Sequence, residues 1–450
     1  MSRAAPFVLP AYLFACLLLG GSAQGMWGNA ALQLIAIAIL AWAALSSDAQ
    51  PLGRPARRLM ILVSATLLLV LAQLVPLPPA LWSALPGRQF VVSGFEQLGM
   101  PLPWLPISLS PADTLATAVT LLPPLALLVA MLRLRSWSRP AMFAAVGLGT
   151  AVSVLLGVLQ LSSGGTGAWY FYERTNLGVA VGVFANGNHF ATLLMAATPL
   201  LAALAATRWR SRRGRQQRAL AGALAVGGSI LLLIGAALNG SSAMLLIGPP
   251  VLAASALLAL RVSRRRLRQG LLAIGVLLLA GIGVVGFAGK ALPGWGTGAS
   301  IETRVDYWST SLRAIADQPL TGSGVGTFLQ SFRRFEDPAR VDRFYVNHAH
   351  NDYLELLIEA GVPAAILLIG FFWWWAGRAA EAWRGPGAVE EKAAAVASAA
   401  ILLHSLIDYP LRTAAIAALF AVCLALLAGA RGSGRGQGED EQQRARHATL

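Results

Sequence analysis

The sequence predicts an all-α integral membrane protein of about twelve transmembrane helices, with one large loop carrying an amphipathic helix on its outer face. Three observations predict it. Hydrophobic residues make up 56% of the 450 residues and charged residues 12%, with a mean hydropathy of +0.63, a balance foreign to soluble domains. Twelve stretches approach the roughly 20 apolar residues that a bilayer-crossing helix needs. Arginine clusters recur in alternate connections, as expected when positive charge is retained on one side.

In chain order the twelve stretches lie near 6–23, 27–45, 59–76, 113–132, 141–161, 188–206, 220–238, 242–260, 270–288, 355–376, 393–409 and 413–430. The first lacks a following small-residue cleavage site and reads as a retained helix rather than a leader. Pro123-Pro124 and Pro249-Pro250 interrupt two stretches. Such breaks are tolerated where neighbouring helices satisfy the freed carbonyls. With the N-terminus inside, the inner connections hold Arg54, Arg57 and Arg58, then Arg133, Arg135 and Arg139. Arg208, Arg210, Arg212, Arg213, Arg215 and Arg218 follow, and then Arg261, Arg264, Arg265, Arg266 and Arg268. The 377–392 connection is neutral and does not discriminate.

The net charge of +15 therefore belongs to short juxtamembrane loops that face anionic lipid, not to a nucleic-acid surface. Residues 431–450 are rich in Gly, Gln and charge and read as a disordered cytoplasmic tail. Cys16 and Cys423 fall inside apolar stretches and indicate neither a disulfide nor a metal motif. No internal repeat is evident.

The only long polar loop, 289–353, balances seven cations against seven acids. Gly294, Gly296 and Gly298 give it an irregular start. Residues 302–317 then place Val305, Trp308, Leu312 and Ile315 at spacings of three or four, one apolar stripe of a helix that Pro319 ends. Arg304 and Arg313 lie off that stripe, and Asp306 or Glu302 is the local partner available to Arg304. Gly322-Ser-Gly-Val-Gly-Thr-Phe328 resembles a nucleotide loop only superficially, because no strand precedes it and no Lys-Ser/Thr follows. It reads as a plain turn, a phosphate-meeting turn being the alternative.

Three of the five histidines, His189, His348 and His350, fall on the outer face. The His348-Ala-His350 pair lacks a third ligand other than Asp352, so the sequence does not indicate a metal site. A histidine at the membrane boundary can instead take a proton from a hydroxyl, with Asp352 or Asn351 available to orient its ring. Glu173-Arg174-Thr-Asn176 is followed by Asn186-Gly-Asn188-His189, polar residues that are costly at a span unless they line a cavity. Asn239-Gly-Ser241-Ser242-Ala243 forms a third outer element. Arg174, Arg304 and His350 thus share a face, a cationic cluster with a candidate base that suits a pyrophosphate-bearing donor.

On these residues the chain resembles the O-antigen ligase and polymerase superfamily. Arg304-(x3)-Trp308 leading into Ile315-Ala-Asp-Gln-Pro-Leu-Thr-Gly-Ser-Gly324 is similar to the family's helix, Pro and Gly-x-Gly turn. His348-Ala-His-Asn-Asp-Tyr-Leu354 with Glu359-Ala-Gly361 is similar to its His-Asn-x-x-Leu and Glu-x-Gly pattern. Arg174 with Phe184-Ala-Asn-Gly-Asn-His-Phe190 is similar to its Arg and Gly-x-Phe-x-Asn-x-Asn element. The resemblance spans about 170–430, which divides the chain into N-terminal transmembrane helices over 1–165, a ligase-related membrane domain over 166–430 and the tail. It implies a metal-independent, cofactor-free, inverting glycosyltransferase in the bacterial inner membrane, its 289–353 loop and active face periplasmic. The implied donor is an undecaprenyl-pyrophosphate-linked glycan, the acceptor the lipid A core for a ligase or another glycan for a polymerase. His350, with His348 as the other candidate, becomes the base. Arg304 and Arg174 become the pyrophosphate holders, and Asn186, Asn188, Asn351 and Asp352 the substrate-binding residues.

The chain departs from the family at the turn after the seventh stretch, where Ser-Arg is common and Ser241-Ser242 stands instead. Arg174, or a loop arginine such as Arg333 or Arg334, then substitutes, or the chain works differently. The reading from another class is a twelve-span lipid or sugar transporter. Carriers need ionisable residues in mid-membrane, and here Glu355, Glu359 and Asp408 sit near span ends, leaving His404 as the buried exception.

Overall fold

The computed structural model describes residues 4–23, 25–210, 215–259, 269–270, 272–273, 275–276, 297–341, 346–384 and 388–430. The described residues are helical, without strands. In chain order the helices are α1 (Ala5–Leu19), α2 (Met26–Leu45), α3 (Arg54–Ala72), α4 (Pro79–Trp82), α5 (Gln89–Gln97), α6 (Pro111–Thr120), α7 (Leu122–Arg133) and α8 (Arg139–Ser162). They continue with α9 (Gly187–Arg210), α10 (Arg215–Asn239), α11 (Ser242–Ala259), α12 (Thr297–Asp317), α13 (Phe328–Arg333), α14 (Asp352–Arg384), α15 (Val389–His404) and α16 (Ala414–Leu427).

Among the described residues, six helices are long and apolar enough to cross a membrane: α2, α3, the continuous α6–α7 pair, α8, α9 and α14. Ala5–Leu19, Val226–Asn239, Ser242–Leu258 and Ala414–Leu427 are shorter apolar helices. The stretch expected over 270–288 lies almost wholly outside the described residues. So do Arg212 and Arg213, the arginines from 261 to 268, Gly294, Gly296 and the tail 431–450.

The prolines act as their positions dictate. Pro123 and Pro124 open the first turn of α7, where the missing N–H groups have no intrahelical partner anyway, so the expected 113–132 stretch becomes two helices meeting at Leu121. Pro249 and Pro250 remain inside α11. The stretch expected over 393–409 ends as a helix at His404, leaving 405–413 as a polar turn. The buried core joins α1, α2, α7, α8, α9, α15 and α16. α9 is its hub, packing on α8, α10, α11 and α15. Trp373 is exposed, whereas Trp374 and Trp375 donate their indole N–H groups to Pro55 O and Ser398 Oγ.

α12 begins before the expected residue 302 and is rotated relative to the expected stripe. Val305 and Leu312 are exposed, while Thr310, Ser311, Ala314 and Gln318 are buried. The helix lies against α13 and α14 with its small and polar face inward.

The glycine-rich turn is a docking element. α14 breaks at Gly361 (φ 54°, ψ −140°), and Val362 N donates to Pro319 O at 2.9 Å across the break. A Cβ on Gly322 would stand 2.4 Å from Ala360 N, and one on Gly361 2.5 Å from Pro319 O, so only glycine allows the two backbones to meet. Five of the turn's N–H groups are taken: Gly322 by Gln318 O, Ser323 by Ile358 O, Gly324 by Glu359 O, Val325 by Gln73 Oε1 and Gly326 by Glu359 Oε1. These five do not face outward for a phosphate, which favours the plain turn.

A second segment, 73–114, covers this turn. Gln73 Nε2 donates to Glu359 O (2.9 Å) and Thr321 O (3.3 Å), Leu109 N to Ser323 O, and Thr114 Oγ1 to Val325 O. Buried Arg88 donates to Ile107 O and braces the segment. Its guanidinium pKa falls to about 10 through burial, with Arg334 adding to the effect.

Candidate functional site

The site forms where the ends of five segments meet. Asn186 caps α9, its Oδ1 accepting from Asn188 N at 2.9 Å. That cap presents Asn188 and His189 on the first turn. The Asn239–Ser242 turn is tied to the same place: Asn239 Nδ2 donates to Gly187 O (2.7 Å), and Ser241 Oγ to Asn188 Oδ1 (2.8 Å). Asn351 caps α14, accepting from Tyr353 N and Leu354 N at 3.0 Å, and donates to Leu406 O at 2.9 Å. α12 brings Arg304, and the 405–413 turn brings Asp408, Tyr409 and Arg412.

Asp408 is the centre. Its side chain is fully buried. Oδ2 accepts from Asn188 Nδ2 at 2.6 Å and faces Arg304 Nη2 at 3.5 Å. Oδ1 accepts from Tyr409 N at 2.8 Å, with His189 Nε2 and His350 Nδ1 each 3.6 Å away. Arg304 therefore pairs with a carboxylate about a hundred residues away, not with a local acid alone. His350 has φ +50°, the positive-φ non-glycine among the described residues. That conformation is uncommon for such a side chain and clusters at functional sites. Its carbonyl accepts from Trp308 Nε1 at 3.4 Å.

Tyr409 is ringed by histidines, with centroids 4.1 Å from His348, 4.9 Å from His189 and 5.0 Å from His350. Its hydroxyl accepts from Asn347 Nδ2 at 3.2 Å. His348 Nδ1 meets Glu355 Oε1 at 2.7 Å, and Glu355 Oε2 accepts from Ala349 N at 3.0 Å. The two histidines of the pair therefore point at different carboxylates. Among the described residues no three His, Cys, Asp or Glu side chains are grouped to hold a metal ion.

Behind Glu355 lies Arg412, 3.0 Å from Glu359 Oε2 and 3.6 Å from both Glu355 Oε1 and Asp352 Oδ1. Although burial pulls its pKa down, Glu355, Glu359 and Asp352 raise it above the ordinary value, so Arg412 stays charged. Asp352 also accepts from Ser405 Oγ at 2.8 Å. Neither Asn351 nor Asp352 orients a histidine, as the sequence had suggested. Asn351 is a helix cap and Asp352 a partner of Arg412, while Asp408 and Glu355 stand at His350 and His348.

The structure thus brings together His350, His348, Arg304, Asn186 and Asn188. Arg174 is exposed on the loop before α9. Its neighbours Thr175 and Asn176 are stitched to Ala185 O and Gly187 N, which keeps that loop beside the α9 cap. Arg334 is not a substitute at this site. It pairs with Asp317 at 3.1 Å and lies over the Phe90 ring, at the far end of α12, about 20 Å along the helix from Arg304. Arg333 is exposed on α13. His404 is buried, with Nδ1 2.7 Å from Thr192 Oγ1 and Nε2 without a hydrogen-bond partner. Asp408, Tyr409, Glu355 and Arg412 were missed as site residues; the signal was the run Asp408-Tyr-Pro-Leu-Arg412 between two apolar stretches.

A multi-pass helical membrane protein whose helix ends enclose a carboxylate, histidine and arginine cluster is the class that fold and site define. A family model described as O-Antigen ligase matches residues 227–369, which supports membership of the O-antigen ligase superfamily. The matched segment contains Ser241, Arg304, the glycine-rich turn, His348, His350 and Glu359. Members of this family are glycosyltransferase-like enzymes that act on lipid-linked glycans. A search of curated proteins found no match.

Proposed function

We propose that the chain transfers an undecaprenyl-pyrophosphate-linked glycan to an acceptor hydroxyl at the periplasmic face of the inner membrane, with the lipid A core as acceptor. The observation that carries this reading is the convergence of His350, His189, Arg304 and Asn188 on one buried carboxylate, Asp408. In the proposed reaction His350 removes the proton from the acceptor hydroxyl. The hydroxyl oxygen forms a bond to the anomeric carbon as the bond to the pyrophosphate oxygen breaks on the opposite face, which inverts the centre. Arg304 and Arg174 neutralise the charge that develops on the leaving pyrophosphate. Asp408 acts as a positioning residue, holding His350 and Arg304 at fixed places around the reacting atoms. The proposal includes twelve spans with both termini inside, the 166–430 catalytic membrane domain and a periplasmic 289–353 loop. Polymerisation onto another glycan uses the same chemistry and differs only in the acceptor.

The test is a gene deletion complemented with wild type, His350→Ala or Arg304→Ala, read on lipopolysaccharide and exopolysaccharide gels. Loss of the O-chain ladder with accumulation of lipid-linked polymer, unrestored by either variant, supports the ligase. A single-repeat cap or lost exopolysaccharide points to a polymerase. Full complementation by both variants defeats the catalytic assignment.

A further inference from the structure

His348 and His350 stand against one aromatic ring and are held in different ways. The His348 ring centre lies 4.1 Å from that of Tyr409 at 33°, and the His350 centre 5.0 Å from it at 77°. His350 Nδ1 makes no hydrogen bond, Asp408 Oδ1 standing 3.6 Å off. His348 Nδ1 meets Glu355 Oε1 at 2.7 Å. Glu355 is itself clamped: its side chain is 1% exposed, Ala349 N donates to Oε2, and Arg412 Nη2 lies 3.6 Å from Oε1.

A carboxylate only accepts, so Nδ1 of His348 carries the hydrogen in this bond and the ring orientation is set. Nε2 is then the open position of His348. Among the described residues nothing bonds it, and the side chain is 23% exposed. In the neutral ring Nε2 offers a lone pair, in the charged ring an N–H; a hydroxyl both donates and accepts, and pairs with either.

His350 is the base of the proposed transfer, which leaves the clamped imidazole beside it without a part. Its place supplies one. With Tyr409 between them the two imidazole centres are at most about 9 Å apart, and a hydrogen bond of about 2.8 Å to each leaves a few ångströms, the separation of two hydroxyls on one sugar ring.

We infer that His348 Nε2 binds a second hydroxyl of the acceptor sugar, on the same ring as the hydroxyl that gives its proton to His350, with Glu355 as the positioning residue that fixes the imidazole. The acceptor is then a sugar with a free hydroxyl close to the reacting one, and a sugar deoxygenated there is taken poorly. This role rests on the transfer reading above and adds which acceptors the reaction takes. It applies to the lipid A core and to another glycan alike.

The test uses the purified full chain with a polyprenyl-pyrophosphate glycan as donor. The acceptors are the core glycolipid of the deletion strain and, in parallel, a single repeat on its lipid carrier. The product linkage identifies the reacting hydroxyl, and monodeoxy analogues of that sugar each lack one of the others. With wild type, one analogue is expected to lose about tenfold in acceptor kcat/KM, most of it in KM, as for one hydrogen bond. His348→Leu is expected to lose the same factor on the intact acceptor and nothing further on that analogue, with the donor KM unmoved. His348→Gln, whose amide can meet a hydroxyl, regains part of the loss. Glu355→Ala, which frees the ring, is expected to raise the acceptor KM alone and to narrow the gap between intact acceptor and analogue. Equal rates of wild type on every analogue, additive losses from variant and analogue, or a His348→Leu that loses kcat at unchanged KM overturns the assignment and leaves the transfer reading in place. If the variants melt below wild type, the wild-type series decides. No transfer to either acceptor removes the transfer reading, and the role of His348 with it.

Discussion

Asp408→Asn is the substitution that tests the site most directly, because it keeps the shape of the side chain and removes its charge. Arg304 Nη2 lies 3.5 Å from Asp408 Oδ2, an attraction of roughly 4–5 kcal/mol at an effective dielectric of about 20. Arg304 is one-fifth exposed, which lowers that figure. The amide also cannot serve both neighbours. Asn188 Nδ2 donates to one oxygen and Tyr409 N to the other, so the amide NH₂ must face one of these donors and leave it unpaired, at a cost of about 1–3 kcal/mol. His350 and His189 lose the anion that both approach. Together these terms predict a rise of about 3 kcal/mol in the transfer barrier, roughly a hundredfold in rate. The assay is in vitro transfer from a polyprenyl-pyrophosphate glycan with purified protein, alongside melting in detergent. A variant that melts like wild type and transfers within twofold of its rate refutes the central place given to Asp408.

Other expectations follow from single contacts. Gly361→Ala and Gly322→Ala each force a Cβ onto backbone at about 2.5 Å and into positive φ, a strain of at least about 2 kcal/mol. Both should melt several degrees below wild type, and an unchanged melt would show that the turn and the α14 break are not docked. At His350, with φ +50°, Asn tolerates the backbone and Val does not. His350→Asn and His350→Val should both lose transfer, and only the valine variant should lose about 1–2 kcal/mol of stability; equal stability would refute the strain. Gln73→Ala removes three bonds, to Glu359 O, Thr321 O and Val325 N. Its midpoint in a detergent-denaturant titration should fall by the equivalent of about 2–3 kcal/mol, and no shift would mean that segment 73–114 is only loosely held.

How much of this could be read from the chain depends on the range of each interaction. His350 and its neighbours were legible because a helix cap, two histidines and a Glu-x-Gly element sit together in one short run. The glycine-rich turn was legible as a turn, but its partner was not: the break at Gly361 meets Pro319 across 42 residues, and Gln73 reaches Glu359 across 286. Asp408 looked like an ordinary span end, because a polar residue beside an apolar stretch is what every span end shows, and nothing in the spacing singled out Arg412. Their partners, Asn188, Arg304, Glu355 and Glu359, come from other helices.

The phase of α12 shows why the missing part was missing. In a water-soluble protein an apolar stripe marks the face that packs inward. α12 does bury an apolar face, Tyr307, Ala314 and Ile315 packing with Phe328, Phe332, Val346, Ala349 and Ile358, but it is not the face that the spacing picks out. Val305 and Leu312 accordingly face out, at 53% and 56% exposure, while Thr310, Ser311, Ala314 and Gln318 are buried. The inward stripe of hydroxyl, amide and small side chains carries Arg304 towards Asp408 at the helix's other end. On α9, too, Asn188, His189 and Thr192 lie inward among buried apolar neighbours. On both helices it is the polar residues that turn inward, Asn188 with Thr192 on α9 and Thr310 with Ser311 on α12, that show which faces meet, and hence where a site can form.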